Sequence, residues 1–459
     1  MAQEGSFSAS IYRKIEFRNK NVEALGDLLD KSASIKGKEV GERSYVQSSD
    51  YYFIKNRSLQ ETDYIPYLSK ESPVPIKPQS FIQFHLKQTD ILFSKDSNVG
   101  ECCILESNQY DNFMISSGII RMRIKKNPYY VFAFLKHLSV KEQLIIRTPK
   151  GSTIKHSGER ILECKIPFPI GPDAGNIIAH VEGIVKEIIE NEVSIRLKDK
   201  KIFDLINEEL ITNQKIPFIS RMPTHSDIYS EGRMDAGIYS EFYRRNIFLI
   251  KNYSMGCLSL TDRDMNFSIK PGPSLEKLLI GNRIDSDYPL SGKHYTLIVP
   301  TNITDYGTVD KMHYIGCSKS IEALTFGDIL LGESGTWRSM VVLFERKKCI
   351  TNAHGHRLRQ NDNNIELSVF VRCILSWYKK AGLFDRLAVG GSGGHISPSY
   401  FNKILIPLFP DKLKKEIMNL YYSIDGTGIS QLDEKNRKLK ENLDSVLDRI
   451  LKDNTGAGA

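Results

Sequence analysis

The chain has 459 residues, 41% of them apolar, and carries 63 Lys and Arg against 55 Asp and Glu for a formal charge of +8. Such a length predicts roughly two to three domains. No run approaches the roughly 18 apolar residues of a membrane span, and the opening MAQEGSFSASIYRK has no signal-type apolar stretch. The modest basic excess leans toward a polyanionic partner but excludes a ribosome-like polybasic protein, while seven irregularly spaced cysteines fit reduced thiols in a cytoplasmic setting.

Residues 1–172 read as mixed α/β. Short β-rich runs at Ser80–Phe84, Asp90–Phe93, Cys102–Leu105 and Ile119–Ile124 are separated by Gly, Asn and Pro. Asn127-Pro128 then opens a helix, with Pro at its first position and Val131, Phe132, Phe134, Leu135 and Leu138 behind it. A loop at Pro149-Lys150-Gly151-Ser152 and an exit at Ile166-Pro167-Phe168-Pro169 follow. Over 173–212, Ile177, Val181, Ile184, Ile188, Asn191, Ile195, Lys198, Ile202 and Leu205 recur in steps of four and three. An average step of about 3.5 predicts a coiled-coil seam. A helix of about 35 residues reaches roughly 50 Å.

Residues 213–410 repeat this order. Asp90-Ile91-Leu92 matches Asp328-Ile329-Leu330 at an offset of 238 residues (328 − 90), and Val131-Phe132 matches Val369-Phe370 at the same offset. Gly151-Ser152 matches Gly391-Ser392 and Ile166-Pro167 matches Ile406-Pro407, both at 240 (391 − 151). The second helix is expected over Glu366–Tyr378, its loop at Gly390–Gly394 and its exit at Ile406–Pro410. A period this long means a duplicated domain; solenoid repeats run about 20–50 residues. A second long helix, 411–453, carries Leu432, Asn436, Leu439, Leu443, Val446 and Ile450, and Gly426-Thr427-Gly428 should bend or break it. Each helix begins where a module ends, which predicts antiparallel pairing with Ile184, Ile188, Leu439 and Leu443 buried. Asn191, Lys198 and Asn436 would be polar seam positions that cost stability and fix register.

Several motifs suggest chemistry and fail on inspection. Asn127-Pro128-Tyr129-Tyr130 resembles the Asn-Pro-Pro-Tyr of amino-methyltransferases but lacks the second proline and a preceding glycine-rich cofactor loop. Glu163-Cys164-Lys165 mimics a nuclease Glu-x-Lys, yet the repeat aligns it with Lys403-Ile404-Leu405. Cys349, His354 and His356 lack a fourth ligand at zinc-like spacing. Gly390–Gly394 lacks the Gly-Lys-Ser/Thr ending of a P-loop. The chain therefore reads as non-catalytic, with no metal and no cofactor of its own.

The doubled order of "DIL" strand, helix, "GS" loop, "IP" exit and long helix resembles the specificity subunit of type I restriction–modification systems. The Arg233-Met234-Asp235-Ala236-Gly237-Ile238-Tyr239 segment is similar to a lead-in that precedes target-recognition domains, and residues up to about Lys38 hold no clear copy of it. The resemblance implies two target-recognition domains, 1–172 and 213–410, joined by helices 173–212 and 411–453 in an antiparallel coiled coil. It implies sequence-specific binding of a bipartite double-stranded DNA site. It also implies docking of methyltransferase (modification) subunits, two in number, and of a restriction/translocase subunit. S-adenosylmethionine and ATP would then belong to those partners. DNA contacts are expected from Arg147, Lys150, Ser152, Lys155 and His156 in module one and from Trp337, Arg338, Ser392 and His395 in module two. For each of these a solvated charge or a packed aromatic is the plainer alternative. The competing functions are a stand-alone methyltransferase or nuclease with degenerate motifs, and a protein-binding scaffold.

Overall fold

A computed structural model describes residues 17–68, 72–147, 160–278, 284–286, 294–317, 319–333, 335–344, 348–389, 394–396 and 398–452. The chain divides into two compact units, Met1–Val193 with Lys435–Ala459, and Ser194–Glu434. Both are mixed α/β. Each takes part of each long helix, because the apolar faces of those helices belong to the units' own cores.

Unit one begins with β1 (Val22–Ala24), α1 (Leu25–Leu28), β2 (Ile35–Lys36), β3 (Tyr52–Ile54), β4 (Val74–Pro75) and β5 (Ile91–Ser94). It continues with β6 (Cys102–Ile104), β7 (Phe113–Ile115), β8 (Ile119–Met122), α2 (Pro128–Lys136), α3 (Leu138–Arg147), β9 (Lys165–Pro167) and the first part of α4 (Ala174–Thr212). One antiparallel sheet has the order β2-β8-β5-β6, and a second has the order β4-β3-β7 with β3 and β7 parallel. All of β5 is buried, as befits an inner strand without polar alternation. Helix α2 starts at Pro128 behind a left-handed Asn127 (φ 53°), so the missing proline N–H falls where a helix has no acceptor for it. The expected strand at Ser80–Phe84 does not form. Pro78–Ser80 is a 3-10 turn, and the carbonyls of Phe84 and His85 are taken by the Arg121 guanidinium instead of a neighbouring strand.

Unit two contains the rest of α4, α5 (His225–Glu231), α6 (Glu241–Lys251), β10 (Cys257–Ser259), β11 (Phe267–Pro271), α7 (Leu275–Leu278), β12 (Ile284–Ser286), β13 (His294–Leu297) and β14 (His313–Gly316). It continues with β15 (Ile329–Gly332), β16 (Ser339–Val341), β17 (Cys349–Ile350), β18 (Gly355–Gln360), α8 (Ile365–Lys380), α9 (Leu383–Leu387), β19 (Leu405–Pro407), α10 (Asp411–Tyr421) and the start of α11 (Ile429–Lys452). Its sheet β11-β18-β15-β16 has the plan of β2-β8-β5-β6, and the registers match. Ile91 faces Met122 and Ile104, while Ile329 faces Leu358 and Val341. The parallel pair β3–β7 recurs as β13–β17, and β1–β9 as β10–β19, with Val22 opposite Pro167 and Cys257 opposite Pro407.

The long helices follow the predicted steps, with a wider buried face. In unit one, Val181, Ile184, Val185, Ile188 and Ile189 share a core with Leu443, Val446, Leu447 and Ile450, and also with Ile91, Phe93 and Phe134 of the module. Leu439 is half-buried at its edge. Adding Val185, Ile189 and Leu447 makes a globular helix stripe; a two-per-heptad seam would be narrower. Asn191 donates through Nδ2 to Asn436 Oδ1 (2.8 Å), and Asn436 donates to the Ile188 carbonyl (3.2 Å), so both amides are buried and answered. The expectation for Lys198 is corrected: it is half-exposed, and its neighbour Asp199 turns inward to meet Lys380 Nζ at 2.6 Å.

Helix ends are tied to module openings in the same way in both units. The Asn19 N–H donates to the Leu451 carbonyl (3.2 Å), and its side chain donates to the carbonyls of Ile450 and Phe168 (2.9 Å each). That links the end of α11 to the chain entering α4 and makes the two helix segments of unit one antiparallel. In unit two the Ser254 N–H donates to the Asn213 carbonyl (2.9 Å), just past the end of α4. The C-terminal segment breaks between Tyr421 and Ile429. Asp425 accepts from Ser423 Oγ (2.5 Å), the Thr427 N–H (3.0 Å) and Thr427 Oγ1 (2.8 Å), which holds its carboxyl down at about 2. Gly426 adopts φ 77° there. Among the described residues no disulfide joins any of the cysteines. Among the described residues no helix is long and apolar enough to cross a membrane.

Candidate nucleic-acid interface

Each inner strand starts at a buried aspartate. Asp90 receives Arg123 Nε (2.7 Å), an Arg123 Nη (2.8 Å) and the Lys87 N–H (2.9 Å). Asp328 receives Arg359 Nε (2.8 Å), an Arg359 Nη (2.7 Å) and the Thr325 N–H (2.8 Å). Arg359 lies on the facing strand β18 and Arg123 just past the end of the facing strand β8, each one residue beyond the partner of Ile329 or Ile91, and each aspartate keeps its arginine firmly protonated. The repeated "DIL" is thus the visible half of a buried ion pair. The residue before each aspartate is left-handed, Thr89 (φ 70°) in one module and Gly327 (φ 90°) in the other.

The other end of the strand carries a hairpin, and there the modules diverge. Ser97 and Gly335 occupy matching left-handed positions (φ 64° and 81°). In module one Lys95 pairs with Asp96 (2.7 Å), and Asn56 donates to Ser94 Oγ (3.1 Å) and the Asp96 carbonyl (2.7 Å) while accepting from Ser116 (2.9 Å). In module two Glu333 stands at the Lys95 position. Pro300 replaces the amide network, close enough to Gly332 that a Cβ there would lie 3.0 Å from it. One scaffold therefore presents two different chemistries.

The expected loop residues can now be placed. Lys150, Ser152, Lys155, His156 and Ser392 lie outside the described residues. Arg147 closes α3, with its side chain outside them too. Helix α3 brings Leu144 against Gly100 of the β5–β6 hairpin. Trp337 follows the packed-aromatic alternative: it is 3% exposed with its ring 5.7 Å from Phe384, and is set aside as a base contact. Arg338 is half-buried, its Nε 3.0 Å from Asp305, a carboxylate shared with Lys379. His395 is 60% exposed at the hairpin, with Nδ1 3.1 Å from Glu333 Oε1.

The lead-in has a direct structural role. Arg233 is buried, donates to the carbonyls of Leu387 (2.7 Å) and Ala388 (3.2 Å), pairs with Asp235 (2.7 Å) and stacks on Tyr400. Val389 and His395 then exchange two backbone hydrogen bonds of 2.9 Å. Arg123, Arg359, Asn56 and Glu333 are positions that sequence patterning missed, since each acts through a partner 30 or more residues away. Among the described residues no group of three His, Cys, Asp or Glu side chains is placed to hold a metal ion.

No family model and no curated protein matches the chain. It is similar to the S subunit of a type I restriction–modification system from M. genitalium, at 13% identity, 95% coverage of this chain, 98% of that chain and a TM-score of 0.37. It is similar to a chain from a structure of the type I R-M system concerned with complex assembly and conformational transition, at 12% identity, 94% and 97% coverage and a TM-score of 0.31. The HsdS subunit from Thermoanaerobacter tengcongensis shares 13% identity over 94% of this chain and 96% of that one, with a TM-score of 0.29. At these identities and scores the likeness is a resemblance and no more.

Proposed function

We propose that the chain is a non-catalytic DNA-reading subunit of a type I restriction–modification complex, in which each module reads one half of a bipartite double-stranded site. The observation that carries this reading is the repeated Asp–Arg scaffold with divergent hairpins, Lys95-Asp96 in one copy and Glu333 with His395 in the other. A scaffold that is kept while its hairpin polar groups change suits two different base sequences: phosphate contacts position a protein on DNA, and side chains at base edges specify it. The +8 charge supports a polyanionic partner. The domains are 1–172 and 213–410, and the helices 173–212 and 411–453 serve as spacer and as docking surface for two methyltransferase subunits and a restriction/translocase subunit. S-adenosylmethionine and ATP sit in those partners.

The test is incubation of the pure chain with DNA and labelled S-adenosylmethionine, alone and with its methyltransferase partner. Sequence-specific DNA binding without methyl transfer by the chain alone, and transfer once the partner is added, is the expected result. Methyl transfer by the chain alone would make it an enzyme instead.

A further inference from the structure

Module two holds a polar cluster that module one lacks. His356, on β18, is 5% exposed, its ring edge-on to Phe401 at 5.0 Å, and among the described residues neither ring nitrogen has a hydrogen-bond partner. Its Nε2 lies 3.8 Å from Glu333 Oε1, the oxygen that also sits 3.1 Å from His395 Nδ1. One carboxylate oxygen thus faces two imidazoles, one inside the module and one at its surface. In module one Lys95 stands in place of Glu333 and Ile120 in place of His356, as the matching pairs Phe93–Ile120 and Leu331–His356 show.

Resting on the DNA-reading assignment above, we propose that Glu333 is a positioning residue that ties His395 to the β15–β16 hairpin, and that proton uptake by the two imidazoles strengthens module two's hold on duplex DNA. With both imidazoles neutral the cluster carries the single negative charge of Glu333. One proton cancels it and a second makes the face positive, while the Glu333–His395 contact becomes an ion pair.

Burial lowers the proton affinity of His356, and Glu333 partly restores it. Its proton therefore arrives below the ordinary imidazole value of about 6.5. A depressed histidine contributes stability above that value and loses it as pH falls from there toward its folded pKa. Other charges nearby are engaged elsewhere. On β18, Arg357 pairs with Glu322 (2.7 Å) and Arg359 with Asp328; Lys403, beyond Phe401, pairs with Glu231. On β11 the residue opposite His356 is Pro271, with Lys270 opposite Arg357.

The experiment has two arms, both on the full chain. In the first, imidazole NMR titration follows His356 and His395 in the native protein and in Glu333→Gln. Linked titration in the native chain and its loss in the variant is expected, and identical titrations in both overturn the proposal. In the second, duplexes that retain one half-site and scramble the other are bound at pH 7.5 and 6.0 across a salt series. For module two's half-site, the slope of log Kobs against log salt should steepen as pH falls from 7.5 to 6.0. It should stay unchanged in the His356→Gln/His395→Gln double variant, and for module one's half-site. Equal pH dependence at both half-sites, or a dependence that survives loss of both imidazoles, overturns the proposal. Absence of specific binding to either half-site at both pH values sinks the DNA-reading assignment instead, and the NMR arm still decides the pairing.

Discussion

A carboxylate with no solvent contact stays charged at tolerable cost only when its lone pairs are answered, and Asp90 and Asp328 are each answered by an arginine fork and one backbone N–H. Asp90→Ala should therefore cost about 3 kcal/mol, because the buried Arg121 and half-buried Arg123 both lose their counter-charge. Replacing both residues of the pair by leucine should recover part of that. Urea unfolding of the single and double variants checks it, and a single-variant cost under about 1 kcal/mol would mean the pair is incidental. The aspartate was legible in the sequence because it recurs beside Ile-Leu. Its arginine was not, since it lies 33 residues on in one copy (123 − 90) and 31 in the other (359 − 328) and is delivered by antiparallel register. Trp337 misleads for a related reason. A tryptophan in a glycine-flanked loop reads as a surface aromatic until α9 supplies Phe384 to cover it.

At the level of elements, periodicity served best where one face is buried along a whole helix. Ile184, Ile188 and Leu443 are in the core as their spacing required. The pattern could not show that Val185, Ile189 and Leu447 join them, because the core they enter contains the module's residues as well as the partner helix's. Leu443→Ala should cost about 2–5 kcal/mol by denaturant unfolding, as expected for a filled core position. The Asn191–Asn436 pair makes a sharper test. Either asparagine changed alone to leucine strands the other amide, at about 1–3 kcal/mol, whereas the double change should be neutral or stabilising. A double-mutant cycle reads this directly, and strictly additive costs would show that the amides do not depend on each other. Lys198 went astray because stepping by fours and threes cannot tell which of two adjacent polar residues, Lys198 or Asp199, has an inward partner. Lys380, 181 residues away (380 − 199), decides it.

For the whole molecule, the duplication is the fact with the widest consequences. Strand order, register, the aspartate clamp and the tie from module opening to helix end all recur. Duplicate scaffolds with separate hairpins predict separable reading. The direct measurement is to map the recognised site, by methylation mapping with the partner subunits, for the native chain, for Lys150→Ala/Lys155→Ala and for Ser392→Ala/His395→Ala. The first variant should weaken or alter one half-site and the second the other, each leaving the remaining half as it was. Both half-sites changing together in either variant would contradict two independently reading modules.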